Sequence, residues 1–239
     1  MTAEVTHMTT PDQKGQSLLR LMAWLSPSFP VGAYTYSHGL EYAIEAGLVT
    51  DEPGLANQVK TIIEQGSGRV DADLFRLAWQ AAIDNDQAEL ARIVELGQAL
   101  RGTSEMALES SSQGAAFLTA LRGAWQEDGA TDHLANFDVK NISYAVAVAV
   151  AAAEAGIALK PALSAYLHAV AANLISAGVR LIPLGQTAGQ RVLAALEPVI
   201  LEASAAALVR DPQDIGSATP MVDWASMKHE TQYTRLFRS

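Results

Sequence analysis

The chain has 239 residues, of which 49% are hydrophobic, 18% are charged and none is cysteine. That length and apolar content suffice for one large core without metal or disulfide support, and the absence of cysteine excludes disulfides, thiolate metal sites and a cysteine nucleophile. Sixteen basic and 26 acidic residues give a net charge of −10, which repels phosphate backbones and anionic lipid and so disfavours nucleic acid and membranes as partners.

The first 16 residues contain no apolar run, so we predict a flexible N-terminal tail over residues 1–16 and no secretory signal. Because the chain has no cysteine, a reducing cytoplasm is its simplest location. From residue 17 onward, apolar residues recur three and four positions apart, which is typical of amphipathic helices. We therefore predict one all-helical domain over residues 17–210 and a separate C-terminal segment over residues 211–239.

Helical periodicity and its breakers predict an all-α fold, a single-domain helical bundle of about eight to ten helices, with no convincing strand. Asp51 and Pro53 are placed to begin one helix. Two local distortions are also predicted: a kink or tight contact where residues 110–114 lower helix propensity, and a kink at Pro198. The predicted helices cover residues 17–25, 37–46, 51–65, 70–83, 87–100, 104–125, 139–155, 161–178 and 187–210.

Residues 141–153 contain no charged side chain and are dominated by alanine and valine. Asp138 is placed to cap this helix at its start, and Gly156 to end it. A helix that is apolar on every side lies either inside protein or in lipid. At ~1.5 Å per residue the run covers only about 20 Å, against about 30 Å of bilayer hydrocarbon. We therefore predict a central core helix, and no stretch of the chain long enough to span a membrane.

Sequence motifs for nucleotide binding and for hydrolysis are missing. Gly66-Ser67-Gly68 lacks the third glycine of a dinucleotide-binding loop, and no Gly-Lys-Ser/Thr follows any glycine-rich loop. No Gly-x-Ser-x-Gly element surrounds a candidate serine nucleophile. We therefore expect no nucleotide binding by this chain alone and no enzymatic activity.

Five histidines are the remaining candidates for metal chemistry, and none lies three to five residues from another. A helix would place His38 on one side with Glu41 and Glu45, where a borderline metal such as nickel could bind. The alternative is a solvated first helical turn in which the acidic residues favour the positive end of the helix. His168 is predicted to be a packed or half-exposed imidazole rather than a ligand.

The C-terminal segment, residues 211–239, ends in a mixture of methionine, aromatic and arginine residues of the kind that anchors protein interfaces. We predict that this segment can become ordered on a partner. The alternative is a segment that docks on its own domain or frays.

Four stretches resemble the urease accessory protein UreF family, and they occur in the family's order. The C-terminal stretch, made of residues 214–220 followed by residues 229–239, carries the closest resemblance. The loop at residues 30–41 is similar to the family's N-terminal signature, and residues 111–117 and 179–186 also match. Together they span most of the chain.

The resemblance implies an all-α homodimer that matures urease without catalysing a reaction. Proteins of this family bind the accessory protein UreD, called UreH in some organisms, and then the GTPase UreG. The assembly inserts nickel into apo-urease as GTP is hydrolysed, so nickel and GTP would be handled by the complex and not bound by this chain alone.

The same resemblance implies that the C-terminal segment orders on the UreD-type partner. By position, the partner-binding role falls on His229, Glu230, Tyr233, Arg235, Phe237 and Arg238, and from the early loop on Pro30, Gly32, Tyr34 and Glu41. The alternative function is a nickel-binding protein that uses His38 with its neighbouring carboxylates, or His229 with Glu230.

Overall fold

The computed structural model describes residues 11–125 and 130–239, and within these ranges all regular secondary structure is helical. The all-α fold class is confirmed. The helices are α1 (Pro11–Trp24), α2 (Leu40–Glu45), α3 (Glu52–Gln65), α4 (Ser67–Ile83), α5 (Gln87–Ala99), α6 (Ser104–Ala124), α7 (Tyr144–Glu154), α8 (Leu159–Leu181), α9 (Gln186–Ala195), α10 (Glu197–Val209) and α11 (Pro220–His229). Short 3₁₀ turns occupy Ala33–Thr35, Val139–Asn141 and Pro212–Asp214.

Helix α7 lies at the centre of the bundle and packs against α4, α6 and α8. Every residue from Tyr144 to Ala153 is buried, so the predicted core helix is confirmed. Its start was predicted wrongly. Asp138 accepts the N–H of Lys140 and begins the preceding 3₁₀ turn, whereas α7 begins after Ser143. The carboxylate therefore caps the short turn and lies too early in the chain to cap α7.

The predicted tight contact in α6 is confirmed at Gly114, which faces the backbone just before α7. A Cβ atom at this position would lie 2.1 Å from the carbonyl oxygen of Ile142. The predicted kink at Pro198 is confirmed as a 40° bend between α9 and α10. Pro198 lies in the first turn of α10, where its missing N–H costs no helical hydrogen bond.

The first helix begins at Pro11, so the prediction that it starts at residue 17 was wrong. Of the predicted N-terminal tail, residues 1–10 lie outside the described residues.

Helix α8 corrects the prediction that no stretch is long enough to span a membrane. It has 23 residues and a mean hydropathy of 1.4 in its most apolar window, which suffices by length and composition. Half of that window is buried within the protein, and α8 packs against α3, α4, α7 and α10. Burial inside the bundle accounts for its apolar character, as for α7.

Candidate functional site

The early loop and the end of the chain form one surface, although they are about 200 residues apart in sequence. After α11 the chain turns back and lies along the loop that precedes α2. The N–H of Arg238 donates to the carbonyl oxygen of Thr35 at 2.7 Å, and the N–H of Ser37 donates to the carbonyl oxygen of Ser239 at 2.6 Å. The structure thus brings together two of the stretches that carry the resemblance, the early loop and the C-terminal end. We call residues 230–239 the terminal segment.

Two glycines shape the loop that receives the terminal segment. Gly32 and Gly39 have φ angles of +72° and +77°, in the left-handed region that glycine adopts without steric cost. A Cβ atom at Gly39 would lie 2.7 Å from the backbone nitrogen of Ser226 in α11. Gly39 therefore allows α11 to approach the start of α2 closely.

A group of four side chains joins α2, α6, α11 and the terminal segment, with three of its members buried and Arg235 exposed, and we call it the His229 cluster. Nε2 of His229 lies 3.0 Å from a carboxylate oxygen of Glu41, and Nδ1 lies 2.8 Å from Glu105. The second carboxylate oxygen of Glu105 accepts from Arg235 at 3.0 Å. His229 is fully buried, and the glutamates are each 7% exposed.

Glu41 also holds the backbone of the terminal segment. Its two carboxylate oxygens accept the N–H groups of Leu236 and Phe237 at 2.7 and 2.9 Å. The Phe237 ring is buried, with the guanidinium of Arg180 4.4 Å from its centre. These contacts leave Leu236 and Tyr233 directed to the outside, and Tyr233 is fully exposed.

The predicted partner-binding residues thus divide into two sets. His229, Phe237 and Glu41 are buried and can contact a partner only if the terminal segment leaves this conformation. The exposed residues are Pro30, Tyr34, Glu230, Tyr233, Arg235 and Arg238, while Gly32 is partly buried. The exposed face continues on α11 through Met221, Trp224 and Met227.

A cavity of about 310 Å³ lies beside this surface, and its lining includes His38, Ser67, Glu109, Asp71 and Arg101. The imidazole of His38 lies 2.8 Å from the hydroxyl of Ser67 and 3.2 Å from Glu109. Burial lowers the pKa of His38, but the Glu109 carboxylate, with a further contribution from Asp71, outweighs burial and raises that pKa above its ordinary 6.5. Arg101 forms an ion pair of 2.8 Å with Asp71.

The cavity and the terminal segment share Glu109. Its carboxylate faces His38 and also accepts the hydroxyl of Ser239 at 3.0 Å. Sequence reasoning missed Glu105 and Glu109, because neither belongs to a short motif and their partners are distant in sequence.

The structure does not bring His38, Glu41 and Glu45 together as a metal site. His38 faces Glu109, Glu41 faces the terminal segment, and Glu45 accepts from Gln232. Gly39 separates His38 from α2, so the three side chains do not share a helix face. Across residues 11–125 and 130–239 no group of three or more metal-ligating side chains could hold an ion. His168 is exposed on α8.

Comparison with known proteins shows the class to which this chain belongs. A urease accessory protein UreF of Granulibacter bethesdensis is 49% identical over 223 residues, which is 93% of this chain and 94% of the relative. A UreF of Rhodopseudomonas palustris (strain TIE-1) is 47% identical over 99% of this chain and 98% of the relative. One from Bradyrhizobium sp. (strain BTAi1) is 48% identical over 93% of this chain and 92% of the relative. The chain is therefore a urease accessory protein and not an enzyme.

The family model of UreF matches residues 49–197. The chain belongs to the UreF family, and the resemblance seen in the sequence is confirmed.

Proposed function

We propose that this chain is a scaffold of urease maturation in the cytoplasm. As a homodimer it binds a UreD (UreH)-type accessory protein and a UreG-type GTPase, and the assembly inserts nickel into apo-urease as GTP is hydrolysed. Nickel and GTP are then handled by the complex rather than bound by this chain alone. Membership in the UreF family supports this role.

The observation that carries the proposal is the outer face of the terminal segment. Tyr233 and Leu236 are exposed on a backbone that is anchored by buried carboxylates. Their two large side chains are therefore presented to the outside at fixed positions. Tyrosine side chains supply contact area at low entropic cost, and both tyrosine and arginine are frequent among the residues that dominate binding at the centres of interfaces. Arg235 and Arg238 add positive charge to a strongly acidic protein, and this local positive charge would help to orient a partner on this face.

Co-purification of the UreD-type partner with the tagged chain tests this proposal. We expect the double variant Tyr233→Ala/Leu236→Ala to lose the partner while its circular dichroism stays helical, because both side chains are outside the core. Leu19→Ala on α1 is the matched control, since Leu19 and Leu236 are each 67% exposed. Retention of the partner by the double variant would defeat the assignment of this face.

A nickel-binding protein is the alternative function, and it has less support. Both ring nitrogens of His229 face carboxylates, and those of His38 face Glu109 and Ser67. In this conformation, therefore, neither imidazole has a ring nitrogen available to bind nickel. Calorimetry with nickel on the isolated chain distinguishes the two functions, because a scaffold gives no tight site.

A further inference from the structure

After α10 the chain continues along one face of α4 before it reaches α11. Helix α10 ends at Val209, and residues 210–214, which we call the connection, include the 3₁₀ turn Pro212–Asp214. Residues 211–214 are exposed, so burial of apolar surface contributes little to holding them in place. The attachment of the connection to the domain therefore depends on polar contacts.

Two arginines of α4 make such contacts with the backbone of the connection. Nη2 of Arg76 donates to the carbonyl oxygen of Arg210 at 3.0 Å, and Nη2 of Arg69 donates to the carbonyl oxygen of Asp214 at 3.0 Å. Because Arg69 and Arg76 are seven residues apart, which is about two helical turns, they lie on the same face of α4. The connection therefore runs antiparallel to α4, with an arginine holding each of its ends.

Ion pairing does not account for Arg69 and Arg76. Within residues 11–125 and 130–239 neither guanidinium forms an ion pair, and each makes one hydrogen bond, the one to the connection. Asp73, which lies between them on α4, pairs with Arg210 at 2.6 Å, and the two α4 arginines act on it only at longer range. Their directed contacts are therefore with the backbone of the connection.

The first residue of the connection is held twice. The carbonyl oxygen of Arg210 accepts from Arg76, and the guanidinium of Arg210 pairs with the buried carboxylate of Asp73. Arg210 directly follows the last residue of α10, where the partial negative charge of the helix end favours nearby cations. The end of α10 and the start of the connection are thus tied to α4 through both backbone and side chain.

We propose that Arg69 and Arg76 are positioning residues for partner binding: they clamp the carbonyl oxygens at the two ends of the connection, so that residues 215–239 leave the domain from a fixed point on α4. The clamp does not require residues 220–239 to be docked on the early loop. A fixed starting point gives the partner-binding residues a higher effective concentration near the rest of the interface than a chain that is free from the end of α10 onward. The effect on the partner rests on the proposed function, whereas the clamp itself does not.

The first test measures amide exchange in the connection of the full-length chain. The N–H of Asp214 donates to the carbonyl oxygen of Asp211 at 2.9 Å, and the N–H of Gln213 donates to the carboxylate of Asp211 at 2.9 Å. In Arg69→Met/Arg76→Met both amides exchange with solvent on the order of tenfold to a hundredfold faster, the factor expected for losing a hydrogen bond from a charged donor.

The matched control is Arg92→Met/Arg191→Met, which also removes two arginines. Their partners are Glu89 and Glu52, in ion pairs whose arginine side chains are about half exposed or more. This control leaves the exchange rates of the connection unchanged, because neither pair contacts it.

Two results would overturn the clamp. One is unchanged exchange of Gln213 and Asp214 in Arg69→Met/Arg76→Met. The other is an acceleration shared equally by the amides of α4 and α10, because the arginines would then act on overall stability and not on the connection. If the double variant fails to fold, Arg69→Met alone provides the measurement, since Arg69 contacts only the carbonyl oxygen of Asp214.

The second test measures the dissociation constant for the UreD-type partner. Arg69→Met/Arg76→Met raises this constant roughly threefold to tenfold, because a longer free tether lowers the effective concentration. Insertion of Gly-Gly-Ser-Gly after Asp214, beyond the clamp, lengthens the tether without changing either arginine and raises the constant by a similar factor.

Unchanged affinity in either of these two variants would overturn the claim that a fixed starting point matters for partner binding. Absence of binding by the wild-type chain would instead refute the proposed function. The exchange rates of Gln213 and Asp214 would still decide whether Arg69 and Arg76 clamp the connection.

Discussion

Gly114 in α6 faces the carbonyl oxygen of Ile142, which lies two residues before the central helix α7 begins. A Cβ atom at residue 114 would be only 2.1 Å from that oxygen. The contact involves backbone, which cannot rotate away as a side chain could. The spacing between α6 and the start of α7 therefore depends on the absence of a side chain at this position.

We expect Gly114→Ala to lower the free energy of unfolding by about 1–3 kcal/mol or more, the usual cost of overpacking. Urea denaturation monitored by circular dichroism measures the change. Gly123→Ala is the control on the same helix, because a Cβ there meets no atom within 4 Å. It should stabilise the chain by roughly 0.4–1 kcal/mol through helix propensity. Equal stability of the two variants would refute the close contact.

Breaking the ion pair of Arg210 with Asp73 should strongly destabilise the fold. The two groups are 2.6 Å apart, and the Asp73 side chain is fully buried. Burial raises the pKa of Asp73, while Arg210, Arg69 and Arg76 counteract that effect. Arg210→Met should lower the free energy of unfolding by about 3–5 kcal/mol, because it leaves a buried charge without its main partner.

Arg92→Met is the control for the Arg210 measurement. Arg92 pairs with Glu89 at 2.6 Å on the surface of α5, with about half of its side chain exposed. Exposed pairs contribute roughly 0–1 kcal/mol. A cost for Arg210→Met no larger than that for Arg92→Met would contradict this expectation.

His38 should make the stability of the chain depend on pH. Its pKa is raised above 6.5 in the folded state, where Glu109 and Asp71 outweigh burial and the opposing Arg101. The stabilising contribution is therefore fully present below pH 6.5 and is lost as the pH rises through the folded-state pKa. Asp223 on α11 also interacts electrostatically with the His38 imidazole.

Unfolding of the wild type and of His38→Asn at a series of pH values measures this contribution. Asparagine is chosen because His38 has a φ of +58°, which asparagine tolerates better than most residues. The stability difference between the two proteins should shrink as the pH rises above 6.5. A difference that grows with pH would contradict the sign. His168→Asn replaces an exposed histidine and is the control for the loss of an imidazole as such.

Gly39→Ala should loosen α11. Its Cβ would lie 2.7 Å from the backbone nitrogen of Ser226, and its φ of +77° is also strained for alanine. Gly47 has a similar φ of +71°, but a Cβ atom there would meet no atom within 4 Å. Both substitutions carry the backbone strain, so the difference between them isolates the contact with α11. Amide exchange in α11 should be faster in Gly39→Ala than in Gly47→Ala, and equal rates would refute the contact.

The fold was predictable from the sequence where a local pattern determines structure. Residues 141–153 have no charged side chain to place in water, so they had to be buried, and the length and flanks of the run favoured a helix over a strand. Pro198 indicated an interruption in the predicted helix of residues 187–210. The end of α1 could also be predicted from a local signal, because Pro27 follows it. The start of α1 could not be predicted in this way, because polar residues from Pro11 onward are compatible with either a helix or a tail.

The site was less predictable because its residues meet only in three dimensions. His229 and Glu105 are 124 positions apart, and His229 and Glu41 are 188 positions apart. The resemblance identified both stretches that form the surface but implied no contact between them. The candidate metal site of His38, Glu41 and Glu45 does not form, for a local reason: the left-handed Gly39 begins α2 one residue after His38 and so removes the imidazole from the helix face.

The early loop is covered by residues that follow it by about 200 positions, as in the contact of Ser37 with Ser239. During translation the loop and most helices leave the ribosome long before their counterpart exists. A chain that lacked the terminal segment would leave the early loop uncovered. A partner that recognises the early loop and the terminal segment together would therefore bind only chains that carry both.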